Sequence, residues 1–320
     1  MKITATFIDE ISHDIPHQNW GAKEWELDFQ AMKAMEIDTV VLIRCGYKRW
    51  MTYPSKVLVE KEQGHMPPID LVDLFLRLSE KYGMDFYFGL YDSGNYWQNQ
   101  NWQQEVDINL AVIDEVWTNY GNYPAFKGWY LSQEVSRKTR GIIDIYIQMG
   151  THCKIISNNL PILISPYIEG DKSSAWSSEI LSGAPSISPE KHEGEWNEIL
   201  DGIKDVVDIV AFQDGHVDFF ELSEYLEINR KLADLHGMQC WTNCEIFDRE
   251  MPIKFLPLKW EKVLLKLEAA KAAGIQKGLC FEFSHFMSPN SCYQQAHGLY
   301  KRYCEHFRIN ILKKHKAISN

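Results

Sequence analysis

The sequence contains no apolar run near the roughly 20 residues that a membrane helix needs, no Cys-x-x-Cys pair and no glycine-rich phosphate loop. The first absence argues against a helical membrane span. The second argues against a zinc ribbon or a thioredoxin-type redox site. The third argues against a doubly wound nucleotide fold, whose first strand should open onto G-x-G-x-x-G; here Asp9-Glu10-Ile11-Ser12-His13 follows instead. No Gly-x-Ser-x-Gly elbow marks a serine hydrolase. A basic face is lacking too: 33 Lys and Arg stand against 44 Asp and Glu, a net charge of −11. Neither nucleic acid nor an anionic membrane is therefore expected as a partner. The basic cluster Lys313, Lys314, His315 and Lys316 falls in a terminal stretch, 309–320, read as a solvated tail. The seven cysteines are odd in number, scattered and mostly set in apolar runs, which suits free buried thiols in a reducing compartment. With a strand candidate opening at Ile3, the sequence as given leaves no room for a signal peptide. The expectation is a cytoplasmic protein, or a secreted one whose leader has been removed.

What is present is a repeating pattern. Short stretches rich in β-branched and aromatic residues predict strands at Ile3–Ile8, Thr39–Arg44, Asp85–Leu90, Lys127–Leu131, Ile162–Ser165, Ile209–Phe212, Gln239–Asn243 and Gly278–Phe283. Helix-period stretches alternate with them: Ala22–Met35, Ile69–Tyr82, Glu105–Tyr120, Gly141–Ile156, Gly194–Val206, Phe220–His236, Lys259–Ala273 and Ser291–Phe307. Three of these runs end in glycine followed by an apolar residue and a strand, at Gly83, Gly237 and Gly274, as a left-handed helix stop requires. Met35-Glu36-Ile37 repeats the pattern with Glu in place of Gly. Eight βα units predict one α/β domain, a single (β/α)8 TIM barrel over residues 1–308, with its site on the loops at the C-terminal ends of the strands. The longest such loops are Cys45–Pro68 and Pro166–Glu193.

Those strand ends supply Asp9 and Glu10, then Arg44, then Tyr91 and Asp92, then Gln133 and Glu134. Tyr167 and Glu169 follow, then Gln213, Asp214 and His216, then Trp241, Asn243 and Glu245, and last Glu282, Phe283 and His285. An acidic, aromatic and amide-rich mouth suits a carbohydrate, whose C–H faces stack on rings and whose hydroxyls bind carboxylates and amides. The binding candidates are Arg44, Tyr91, Asp92, Gln133, Tyr167, Gln213, Trp241, Asn243 and Glu282. Trp97, Trp102 and Trp176 are further stacking candidates, whereas Trp25, Trp117 and Trp260 fall on helices and read as core. Strand alternation puts Gly128, Tyr130, Ser132 and Glu134 on one face and Trp129 and Leu131 on the other. It likewise puts Trp241, Asn243 and Glu245 opposite Cys240 and Cys244. Strands four and seven lie nearly opposite in an eight-stranded ring, so Glu134 and Glu245 can flank one glycosidic bond. His13, His17, His216 and His285 could reach the mouth, but no His-x-x-x-His pair sits on one helix. No metal or cofactor is expected. A metal-assisted hydrolase or isomerase and a non-catalytic carbohydrate-binding barrel are the alternatives to a glycoside hydrolase acting on an oligo- or polysaccharide.

Glutamates ending strands four and seven resemble the large retaining clan of barrel glycoside hydrolases. That resemblance implies Glu134 as acid/base and Glu245 as nucleophile. The clan usually places Asn before the strand-four Glu; this chain has Gln133. The chain also resembles the DUF4434 family of proposed barrel glycosidases. The matching pieces are Trp25 with Met32-Lys33-Ala34-Met35-Glu36-Ile37-Asp38-Thr39-Val40, Phe126-Lys127-Gly128-Trp129-Tyr130 with Glu134, and Phe286-Met287-Ser288-Pro289 with Leu299-Tyr300.

Overall fold

The computed structural model describes residues 1–12, 15–99, 101–174, 186–248 and 255–309. The barrel strands are β1 Ile3–Ile8, β2 Thr39–Leu42, β3 Asp85–Gly89, β4 Phe126–Leu131, β5 Ile162–Ile164, β6 Ile209–Gln213, β7 Gln239–Glu245 and β8 Lys277–Phe281. They close into an all-parallel ring in chain order, with β8 pairing β1. This is the expected (β/α)8 barrel. The helices are α1 Ala22–Ala34, α2 Lys56–Glu62, α3 Leu71–Tyr82, α4 Trp102–Tyr120, α5 Ile142–Ile156, α6 Pro189–Ile203, α7 Leu222–Leu235, α8 Trp260–Ala272, α9 Phe283–Phe286 and α10 Gln294–His306.

Side chains alternate between two cores, as the period of 2 dictates. Phe7, Val41, Tyr87, Tyr130, Leu163 and Trp241 fill the barrel interior. Val40, Phe88, Trp129, Leu131, Cys240 and Cys244 face the helices. The parities expected for β4 and β7 are therefore both observed. Gly83, Gly237 and Gly274 take positive φ at or just past helix ends, and Glu36 does the same at φ 73°. Glu36 thus occupies the left-handed position that glycine fills after α3, α7 and α8.

Several boundaries shift from expectation, and three departures reshape the loops. Helix α6 begins at Pro189 rather than Gly194, because Ser188 accepts from Lys191 N and proline suits the first helical turn. The loop after β2 contains α2, capped by Ser55, together with two-residue strands Gly46–Tyr47 and Trp50–Met51 that join Tyr91–Asp92 in a small sheet. The last strand stops at Phe281, and Glu282 instead caps α9 by accepting from Ser284 N and His285 N. Trp176, His13 and tail residues 310–320 lie outside the described residues. Among the described residues no helix is long and apolar enough to cross a membrane.

Candidate active site

At the C-terminal end of the barrel lies a cavity of about 160 Å³. Glu134 and Glu245 both line it, with Arg44, Asp92, Tyr167 and Gln213. Glu134 is held at its carboxylate oxygens. Tyr130, two turns of the pleat deeper on the same face, donates to Oε1 at 2.6 Å. Tyr167, just beyond β5, donates to Oε2 at 3.0 Å. The Arg44 guanidinium stands 3.9 Å from Oε2. Burial pushes the Glu134 carboxyl above its ordinary range, against the opposing pull of Arg44 and the two hydroxyls. Burial and Glu134 itself push the Tyr130 phenol well above its ordinary range, so it remains a donor.

Arg44 is fixed from the other side. It donates to Asp92 Oδ2 at 3.1 Å. Asp92 Oδ1 accepts from Trp97 Nε1 at 3.0 Å and from Gly94 N at 2.8 Å. Trp97 thus orients an acidic partner while its ring lines the cavity. Tyr47 lies under the guanidinium, 5.3 Å from ring centroid to Cζ.

Glu245 is positioned through its backbone. Its N–H donates to Asp214 Oδ1 at 2.9 Å. Lys266, reaching in from α8, donates to Asp214 Oδ1 at 2.8 Å and to the Glu245 carbonyl at 2.9 Å. Both Asp214 and Lys266 are buried. Burial pushes the Asp214 carboxyl up, and the lysine ammonium opposes that shift. The Glu245 carboxylate lies against Gly215, where any Cβ would collide with it. Sequence reasoning had placed Asp214 at the mouth, but it missed Lys266 and Gly215. Lys266 had one signal: a charge flanked by Leu264, Leu265 and Leu267 on a helix face that meets the barrel.

Five of the expected binding residues are not brought to the cavity. Gln133 has the opposite parity to Glu134. It points outward and donates to Tyr91 O at 2.9 Å and Glu105 Oε1 at 3.0 Å. Tyr91 also faces the helix-side core, with its hydroxyl on Lys48 O at 2.8 Å. Trp241 points inward as expected but sits four residues below Glu245. There it meets Tyr87 edge-on at 6.1 Å and donates to Gln239 Oε1 at 3.1 Å. Asn243, one layer beneath Glu245, donates to Ser165 Oγ at 2.9 Å. Glu282 is fully buried and accepts from His285 Nδ1 at 2.6 Å. That pairing holds the imidazole's pKa up at about 9 against the cost of burial. Conversely, Phe247 and Phe281 line the cavity without having been singled out.

Set beside known proteins, residues 3–293 match the family described as "Domain of unknown function (DUF4434)". The chain belongs to the DUF4434 family. A solved structure from Bacteroides thetaiotaomicron VPI-5482, provisionally described as an alpha-L-fucosidase, is 58% identical. It covers 97% of this chain and 94% of its own, with a TM-score of 0.91. The endo-1,4-beta-D-mannanase of Thermotoga petrophila RKU-1 superimposes with a TM-score of 0.54 at 11% identity, over 88% of this chain and 87% of that one. A psychrophilic glycoside hydrolase family 10 endo-beta-1,4-xylanase gives 0.54 at 9% identity, over 94% and 96%. The last two likenesses concern the fold alone. No curated protein sequence matches the chain significantly. The DUF4434 barrel is thus of the type seen in glycoside hydrolases.

Proposed function

We propose that this DUF4434 protein is a retaining glycoside hydrolase acting on an oligo- or polysaccharide. In this reading Glu134 protonates the leaving oxygen and later deprotonates water, and Glu245 attacks the anomeric carbon. One observation carries the reading: glutamates from β4 and β7 line a single cavity at the barrel mouth, in unlike surroundings. Glycoside hydrolysis needs one protonated carboxyl and one carboxylate about a bond. Glu134, raised by burial and steadied by two phenols, suits the proton donor. Glu245, clamped by Asp214 and Lys266 on its backbone, suits a nucleophile that must not shift. Arg44, Asp92 and Gln213 would bind sugar hydroxyls. The description of the 58%-identical relative makes aryl α-L-fucosides the first substrates to screen.

The two roles separate by leaving group. Glu245→Ala should lose the first step with every substrate, and azide should restore cleavage to a glycosyl azide of inverted configuration. Glu134→Ala should lose about 10²–10⁴-fold on natural sugars. On dinitrophenyl glycosides it should instead accumulate the glycosyl-enzyme, which azide should release with retained configuration. Equal losses on all leaving groups, with azide rescuing neither variant, would assign both glutamates to binding or structure. Saturable sugar binding with no turnover by the unaltered protein would make it a carbohydrate-binding barrel.

A further inference from the structure

Beside the catalytic cavity lies a second one, of about 400 Å³. Ser12, Ile15 and Tyr47 line both, so the two adjoin one another. Trp50 stands on the wall of the second cavity and is 61% exposed. Leaving an indole that open forgoes the gain that burial would bring. The ring is nevertheless held in place. Trp50 pairs with Tyr47 across a two-residue ribbon, and its ring packs on His65 with centroids 5.0 Å apart. Polar groups border the same cavity. Glu10, Ser12, His17 and Lys48 supply them. Size points the same way. The first cavity, at about 160 Å³, falls short of the roughly 300 Å³ at which ligand-sized pockets begin. It suits a single ring, and the neighbouring cavity extends it to the length of a chain.

We propose that the substrate is a chain of at least two sugars, and that Trp50 is the stacking platform of a second sugar site next to the catalytic one. The inference rests on the glycosidase reading for its catalytic centre, but stacking at Trp50 is measurable without turnover. The substrate series consists of p-nitrophenyl monosaccharides and fucosylated, manno- and xylo-oligosaccharides of two to four sugars. With the sugar that turns over, kcat/KM should rise with chain length in the unaltered protein. Trp50→Ala should abolish that rise by increasing KM about tenfold on the longer substrates, equivalent to about 1.4 kcal/mol. Trp50→Tyr should retain much of it. No gain with length, or a gain that survives Trp50→Ala, overturns the proposal. If nothing in the series turns over, the glycosidase reading fails, and fluorescence titration with the same oligosaccharides decides the platform. Saturable quenching by two or more sugars that disappears in Trp50→Ala supports it; equal quenching in both proteins, or none in either, overturns it.

Discussion

The two sides of the cavity support their glutamates through different groups. On the β4 side the protein grips the carboxylate itself: two phenols and a guanidinium converge on Glu134. On the β7 side it grips the main chain: Asp214 and Lys266 bind the amide and carbonyl of Glu245. The first arrangement tunes a proton affinity, because each donor acts on one charge state of the acid. The second fixes the stretch of main chain from which the Glu245 side chain projects. A centre that must give up and recover a proton and a centre that must form a bond call for these different supports.

The contrast can be broken hardest at Lys266. Lys266→Met would leave Asp214 buried without its cation, and removing one partner of a buried pair costs about 3–5 kcal/mol. Chemical denaturation should show that loss. In the protein that remains folded, kcat should fall, whereas the basic limb of the pH profile, set by Glu134, should not move. A stability loss below about 1 kcal/mol would mean that the pair behaves like a solvated one.

A smaller and more local effect is expected at Gly215. In Gly215→Ala the new methyl collides with the Glu245 carboxylate. The φ at this position is not in the left-handed region, so the backbone itself should tolerate alanine. A displacement near 1 Å can cost about 10²-fold in rate. kcat/KM should fall by about that much with the melting temperature little changed. Unaltered activity would show that the carboxylate position is not critical.

Smallest of all is the effect expected on the other side, at Tyr167. Its hydrogen bond favours the ionised form of Glu134 and so lowers that carboxyl's pKa. Tyr167→Phe removes the bond, leaving Arg44 and Tyr130 to oppose desolvation, so the pKa should rise further. Because the proton donor must be protonated, the basic limb of kcat/KM should shift to higher pH, with a loss near the optimum of a few fold, in line with about 1 kcal/mol for one hydrogen bond. A shift to lower pH would remove Glu134 from the acid role.

Much of this was legible in the sequence because barrels repeat. Strand and helix patterns alternate eight times over, helix–Gly–strand junctions mark three of the units, and each unit supports the others. The same alternation places Glu134 and Glu245 inward. Applied consistently it also sends Gln133 outward, so its place behind the barrel wall was readable but was overridden by its position next to a site glutamate. Alternation gives the face of a strand but not the depth along it. That is why Trp241 and Asn243 point inward yet lie below the cavity. Lys266 was hidden because a lysine on an amphipathic helix ordinarily reads as solvated. Trp50 was hidden because two-residue strands leave no periodic trace inside a long loop.

The lower end of the barrel adds a constraint on traffic. Tyr87 and Trp241 meet edge-on there, and Tyr87 is pressed so close to Gly128 that no side chain could stand at that position. The barrel is a well with a sealed base, so nothing can thread through it. Whatever enters past Tyr47 and Trp97 must leave by the same opening. The portion of a ligand seated deepest is then the last to depart.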